Sequence, residues 1–273
     1  MSAETFLLLC GLGVVVGCVG TLVGAGGGFI LTPALLVLYP TDSPETITAI
    51  SLVAVFFNAL SGSAAYARQR RIDYRTGLLF AACTLPGAVA GALVVAVAPR
   101  RIFDILMALL LGALAAWLLL GRPQPTDGAP RPGWTERELT DPAGQTYRYA
   151  VPLRRGAAYS VGVGFVSTFL GIGGGVVHVP LLVQALGFPV HIATATSHFI
   201  LAIMAGTASL THVMAGSFTQ GHGIHRAVAL SIGVVAGAQV GAALSIRMDG
   251  RTIQRLLALA LGLLSARLLV GSL

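Results

Sequence analysis

Apolar runs separated by short polar or glycine-rich breaks fill almost the whole chain, and they recur in the same order in its two halves. Residues 47–67, 77–98 and 227–246 hold no Asp, Glu, His, Lys or Arg. Each is as long as the ~20 apolar residues that a helix needs to cross a hydrocarbon core. In each half the pattern predicts an apolar stretch, a glycine-rich break, a short apolar stretch and then three full-length helices. The predicted elements are 5–23, 28–39, 46–67, 76–98 and 101–120, followed by 156–170, 175–187, 191–215, 226–246 and 251–270. The expected fold is all-α and polytopic, with a first transmembrane repeat over 1–121, a linker over 122–155 and a second repeat over 156–273.

The duplication is legible in four aligned blocks. GAGGGFILTPALL from Gly24 recurs as GIGGGVVHVPLLV from Gly171, and TAISLVAVFFNALSGS from Thr48 as TATSHFILAIMAGTAS from Thr194. PGAVAGA from Pro86 matches AGAQVGA from Ala236, and Arg101 before the last helix of one half matches Arg251 in the other. The linker between them carries prolines, six arginines and four acids with little apolar periodicity, which predicts a solvent-exposed segment.

The piece after each glycine run has about 12 residues, and at 1.5 Å per residue it spans roughly 18 Å of a core about 30 Å thick. Crossing or re-entrant, the pair around the glycines returns the chain to its starting side. Three more helices make the net number of crossings odd, so the second half is expected upside down relative to the first. Arginine placement agrees, because cytoplasmic loops are the basic ones. With the N-terminus outside, Arg68, Arg70, Arg71, Arg75, the six linker arginines, Arg247, Arg251 and Arg255 are inside, against Arg100, Arg101, Arg226 and Arg267 outside. Inverted repeats with broken helices are a recurrent plan of secondary transporters.

Composition narrows the class. The chain is 55% hydrophobic and 10% charged, against about 25% charged in soluble domains. Its net charge of +7 comes from arginines placed between apolar stretches. No basic stripe with interleaved aromatics exists, so no nucleic-acid partner is expected. Cys10, Cys18 and Cys83 lie inside apolar segments without metal or redox spacing and read as small buried hydrophobes. Neither HExxH, a histidine box nor GxSxG occurs, which argues against an intramembrane enzyme, and no cofactor is expected. His222 and His225 in GHGIHR have HxxH spacing but lack acidic or cysteine co-ligands, so no metal site is expected.

The paired GxGGG segments followed by Pro33 and Pro180, the TAIS and TATS helix starts, YARQRRID over 66–73 and the closing small-residue helices resemble the TauE/SafE sulfite and organosulfonate exporter family. The resemblance covers both halves and leaves out the linker. It implies a multi-pass transporter of small sulfur-containing anions in a bacterial or archaeal cytoplasmic membrane, and it is compatible with a homodimer. A permease or channel for another small anion or for a metal ion is the competing reading, and the residues by themselves do not select the anion or the direction.

Candidate binding chemistry centres on Gly24, Gly26, Gly27 and Gly28 and on Gly171, Gly173, Gly174 and Gly175. Helix starts directly after such runs present free N–H groups and a positive dipole end, which suit a small anion without a buried cation. On the following helices Thr48, Ser51, Asn58 and Gly62, and Thr194, Ser197, His198 and His212, fall on roughly one face. Single hydroxyls in membrane helices often bond only their own backbone. Asn58 and His198 are stronger candidates, because a desolvated amide or imidazole needs partners. His178 stands where the first half has Leu31, and Gln239 where it has Val89; for Gln239, helix-to-helix bonding is the competing account. Gly87 with Gly91 and Gly237 with Gly241 read as packing faces. No acid lies deep in a predicted span, so a carboxylate relay is not expected, and proton coupling would fall to a histidine such as His178 or His198.

Overall fold

The computed structural model describes residues 2–120, 133–218 and 223–272. The first half contains α1 (Ala3–Leu22), α2 (Gly28–Leu38), α3 (Pro44–Arg68), α4 (Tyr74–Val94) and α5 (Arg100–Leu120). The second contains α6 (Leu153–Phe169), α7 (Gly175–Pro180), α8 (Val190–Met214), α9 (Gly223–Ser245) and α10 (Gly250–Ser272). Among the described residues six helices are long and apolar enough to cross a membrane, namely α1, α3, α4 with its short extension to Val97, α5, α8 and α9. The chain is a multi-pass membrane protein. The short apolar helices Gly28–Leu38 and Gly175–Ala185 follow the glycine runs, where the sequence pattern expects them.

Local chemistry starts these helices. The Ser43 hydroxyl caps α3 by accepting the Thr46 N–H at 3.2 Å, with Pro44 at the first helical position. Asp73 caps α4 by accepting the Thr76 N–H at 3.1 Å. In α7 the chain passes Pro180 and widens into a π turn over Leu181–Ala185. Proline carries no N–H for the usual ladder, and a wider turn accommodates the missing bond.

The halves interpenetrate. Each half's first helix packs on the other half's fourth, α1 on α9 and α6 on α4, while α3 packs on α8 and α5 on α10. Small residues set these distances. A Cβ on Gly91 would meet the Phe165 carbonyl at 2.5 Å, and Gly87, Gly237 and Gly241 are pressed as closely onto the carbonyls of Val161, Val14 and Cys18. The repeated GxxxG faces are thus packing faces, as expected. The three cysteines are free and, unlike the buried positions expected from their apolar segments, only partly buried.

The linker holds more structure than its composition suggested. Residues 121–132 lie outside the described part, but Thr135–Thr140 (β1) and Thr146–Val151 (β2) form an antiparallel hairpin with Thr135 opposite Val151. Asp141 closes its turn by accepting the N–H groups of Ala143 and Gln145, each at 3.0 Å. One face of the hairpin is buried against the helices. Tyr149 donates to the Asp73 carboxylate at 3.0 Å, Arg137 lies 3.4 Å from the same carboxylate, and Arg71 pairs with Asp141 at 3.4 Å. Burial and the adjacent Asp73 charge raise the Tyr149 hydroxyl well above the ordinary phenol range, so it stays a donor.

Candidate functional site

The two glycine loops meet in the buried centre. A Cβ on Gly175 would lie 2.7 Å from the Ala25 Cα, and one on Gly28 would fall 2.5 Å from the Ile172 carbonyl carbon. Gly26 and Gly173 both adopt positive φ, +76° and +70°, where a side chain is strained. They face the same two side chains: Val55 of α3 and Leu201 of α8 stand against both glycines. Residues 24–28 and 171–175 are all buried. The space between the loops is therefore occupied by two aliphatic side chains at matching repeat positions, rather than forming an open polar pocket.

Each loop is held by the opposite half. The Ser51 hydroxyl donates to the Gly171 carbonyl at 2.8 Å, and the Thr32 hydroxyl lies 2.7 Å from the same oxygen. The Ser197 hydroxyl donates to the Gly24 carbonyl at 3.2 Å. These bonds consume carbonyls and leave amides. The N–H groups of Gly27, Gly28 and Phe29, and of Gly173, Gly174, Gly175 and Val176, have no acceptor among the described residues. Unpaired donors at the start of a helix are where an anion is stabilised by amide dipoles.

Beside the first loop lies a polar cluster. Thr21 donates to the Asn58 side-chain oxygen at 3.1 Å, the His198 Nε2 is 3.2 Å from the Thr21 hydroxyl, and Tyr66 donates to the Thr21 carbonyl at 2.6 Å. Asn58 and His198 are fully buried. The Asn58 amide nitrogen and His198 Nδ1 have no hydrogen-bond partner among the described residues. Unsatisfied buried polar atoms of this kind mark a place for water or a ligand. The counterpart positions in the repeat are Met204 and Leu52, so the second half carries no equal of this cluster.

The remaining candidates divide. His178 is buried with Nε2 at 3.4 Å from Ser160, and its Nδ1 is unpartnered and turned toward Gly174, so it borders the second loop. Thr194 packs against Gly24 but spends its hydroxyl on the Val190 carbonyl at 2.7 Å. Gln239 lies apart from the loops, exposed on α9, donating to the Ser61 carbonyl and hydroxyl at 2.9 and 2.8 Å. It ties α9 to α3. Thr21, Thr32, Val55 and Leu201 are site residues that the polar-face reading missed. Thr21 stands three residues before Gly24 and Thr32 four residues after Gly28, and that closeness to the glycine run was the available signal. His222 lies outside the described residues, and His225 is at the start of α9. Among the described residues no group of His, Cys, Asp and Glu could hold a metal ion.

Similarity to known proteins agrees with this architecture. The profile described as "Sulfite exporter TauE/SafE" matches residues 9–268, nearly the whole chain. The chain belongs to the TauE/SafE family. It is 30% identical over 272 residues to the "Probable membrane transporter protein YunE" of Bacillus subtilis (strain 168), with 97% of both chains covered. A "Probable membrane transporter protein" of Xylella fastidiosa (strain 9a5c) is 26% identical over 190 residues, covering 69% of this chain and 67% of the relative. One of Haemophilus influenzae is 25% identical over 188 residues, covering 68% and 64%. No solved structure matches. In this TauE/SafE protein the repeated glycine segments are the parts brought face to face at the centre.

Proposed function

We propose that this protein is a secondary transporter that exports a small sulfur-containing anion, sulfite or an organosulfonate, by alternating access. The observation that carries the reading is the crossed pair of glycine loops. Each is latched by a serine of the other half, and each leaves helix-start amides without acceptors. Oxyanions are stabilised by such amides and by the dipole behind them. A site without a permanent cation also releases its anion more readily than one with a buried arginine, whose desolvated charge would hold it. The Asn58 amide adds an unpaired donor on one side only.

In this reading the halves are inverted repeats in a bacterial cytoplasmic membrane, with the N-terminus outside and the linker inside. Ion-pair partners support it. Arg226 pairs with Asp42, and Arg100 donates to the Asp42 carbonyl at 3.1 Å, at the end assigned to the outside. Arg71 with Asp141 and Arg137 with Asp73 join at the end assigned to the inside. Val55 and Leu201 between the glycines then correspond to a closed state, and movement of one half against the other withdraws them. Membrane transport also agrees with the names of the relatives.

The test is transport of labelled sulfite and labelled sulfonates in proteoliposomes and in right-side-out and everted vesicles. Export predicts accumulation in everted vesicles. Failure to move any small anion would sink the proposal, and purely dissipative flux would leave a channel in its place.

A further inference from the structure

His212 enters none of the contacts described around the glycine loops. It sits in the last turn of α8, fully buried, with Nδ1 at 3.1 Å from the Ser217 hydroxyl oxygen. Ser217 in turn donates its hydroxyl to the Glu45 carboxylate at 2.6 Å, in the first turn of α3. The single Ser217 proton is directed to Glu45, so the Ser217 oxygen must accept from His212, which places the imidazole hydrogen on Nδ1. Nε2 is then a bare lone pair. It is buried and has no partner among the described residues.

The neighbouring charges are disposed unequally. Asp42 is paired with Arg226, and Arg100 with Asp104. Glu45 is half-buried and has no cationic partner among the described residues. It is the carboxylate linked to His212, through one hydroxyl. Gly216 and Phe218, on either side of Ser217, line an open cavity of about 460 Å³ at this end, between α3, α8 and α9.

We infer that Glu45, Ser217 and His212 form a proton-binding relay, in which a proton entering from the end of the bundle is taken up on His212 Nε2 and the resulting imidazolium is stabilised by Glu45 through the Ser217 hydroxyl. The balance is simple: one proton is added to Nε2, no bond is otherwise broken, and the Glu45 carboxylate becomes the counter-ion of the new cation. Among the buried histidines His212 is the one whose hydroxyl partner is itself bonded to a carboxylate; the hydroxyls beside His178 and His198 belong to Ser160 and Thr21. Proton uptake here deepens the transport reading, because it makes α8 and α3, the helices that carry Val55 and Leu201, bind at one end according to protonation.

The inference is tested with the full-length protein in lipid nanodiscs, labelled with 15N-histidine, the His212 resonance being assigned by its loss in His212→Gln. The expected result is that His212 takes up a proton at Nε2 on acidification, with the midpoint in Glu45→Gln moved to lower pH by about one unit. Ser217→Ala is expected to move it in the same direction. A His212 that stays in one form at every pH at which the protein remains folded, or a midpoint unmoved in Glu45→Gln, overturns the relay. In parallel, sulfite counterflow in proteoliposomes is measured with and without a pH gradient. Gradient stimulation is expected in the wild type and absent in His212→Gln, while exchange without a gradient persists. Full stimulation in His212→Gln overturns the coupling. Absence of all sulfite counterflow in the wild type, with the titration intact, counts against the transporter reading alone.

Discussion

The imidazole of His198 lies where a side chain on Gly62 would have to go. A Cβ at that position would stand 2.5 Å from the ring Cδ2, 2.9 Å from Nε2 and 3.0 Å from the Thr21 methyl. The glycine on α3 and the histidine on α8 are therefore one packing unit, and it holds the Thr21 and Asn58 bonds in place. Gly62→Ala is expected to cost about 1–3 kcal/mol, as overpacking of a filled core does. Thermal unfolding in detergent or nanodiscs measures it, and His198→Ala in the same chain should recover much of the loss.

Gly26 and Gly173 bring a second expectation. At their positive φ, alanine costs about 1–2 kcal/mol from backbone strain, and it also strikes Leu201 or Val55. Gly26→Ala and Gly173→Ala should each abolish transport. Adding Leu201→Ala to Gly26→Ala relieves the contact and leaves the strain, so stability should recover in part. Full recovery of stability and transport would show that the backbone conformation is unimportant.

The two loop-holding serines should differ. Thr32 also reaches the Gly171 carbonyl, so Ser51→Ala leaves that oxygen with a donor. No second hydroxyl reaches the Gly24 carbonyl among the described residues. Ser197→Ala is expected to cost about 1–2 kcal/mol and Ser51→Ala less than about 1 kcal/mol. Equal unfolding midpoints for the two variants would contradict this.

On the hairpin, Tyr149→Phe removes a donor from the buried Asp73 carboxylate. The expected loss is about 1.5–3 kcal/mol, the range for hydrogen bonds to charged groups. Asp73→Asn should be at least as damaging, because Arg137 then loses its counter-charge and the α4 cap is weakened. Chemical denaturation reports both, and limited proteolysis after Arg148 reports hairpin release.

Gln239→Leu is the negative control. Its bonds join α9 to α3 on an exposed face, and such interhelical bonds are worth about 0.6 kcal/mol on average in a membrane protein. Transport should stay near the wild-type rate. A large loss would place Gln239 in the transport path.

Much of this was legible beforehand. A break of glycines followed by a short apolar piece could only end one helix and start another, and both breaks lie where the text repeats. The hairpin was less visible. TERELT and TYRYAV do alternate and flank a turn, but prolines and arginines around them dominate the composition, and two six-residue strands bury too little on their own to declare themselves. The polar residues of α3 and α8 were found because helical periodicity puts them on one face. Their partners could not be found that way, since Thr21 and Ser217 lie outside both helices and Glu45 is on a different helix from His212.

By itself the sequence determined that the chain is a duplicated, multi-pass helical protein, with glycine-broken hairpins and packing stripes of small residues. Those properties depend on length, hydropathy and local backbone freedom, which are written residue by residue. Only the tertiary structure decided that the loops touch, that Val55 and Leu201 fill the space between them, and that His212 rather than a loop histidine is joined to a carboxylate. Such relations depend on distances between helices far apart in the chain. Those distances are set by how closely backbones approach across the interleaved halves, a quantity no single segment contains.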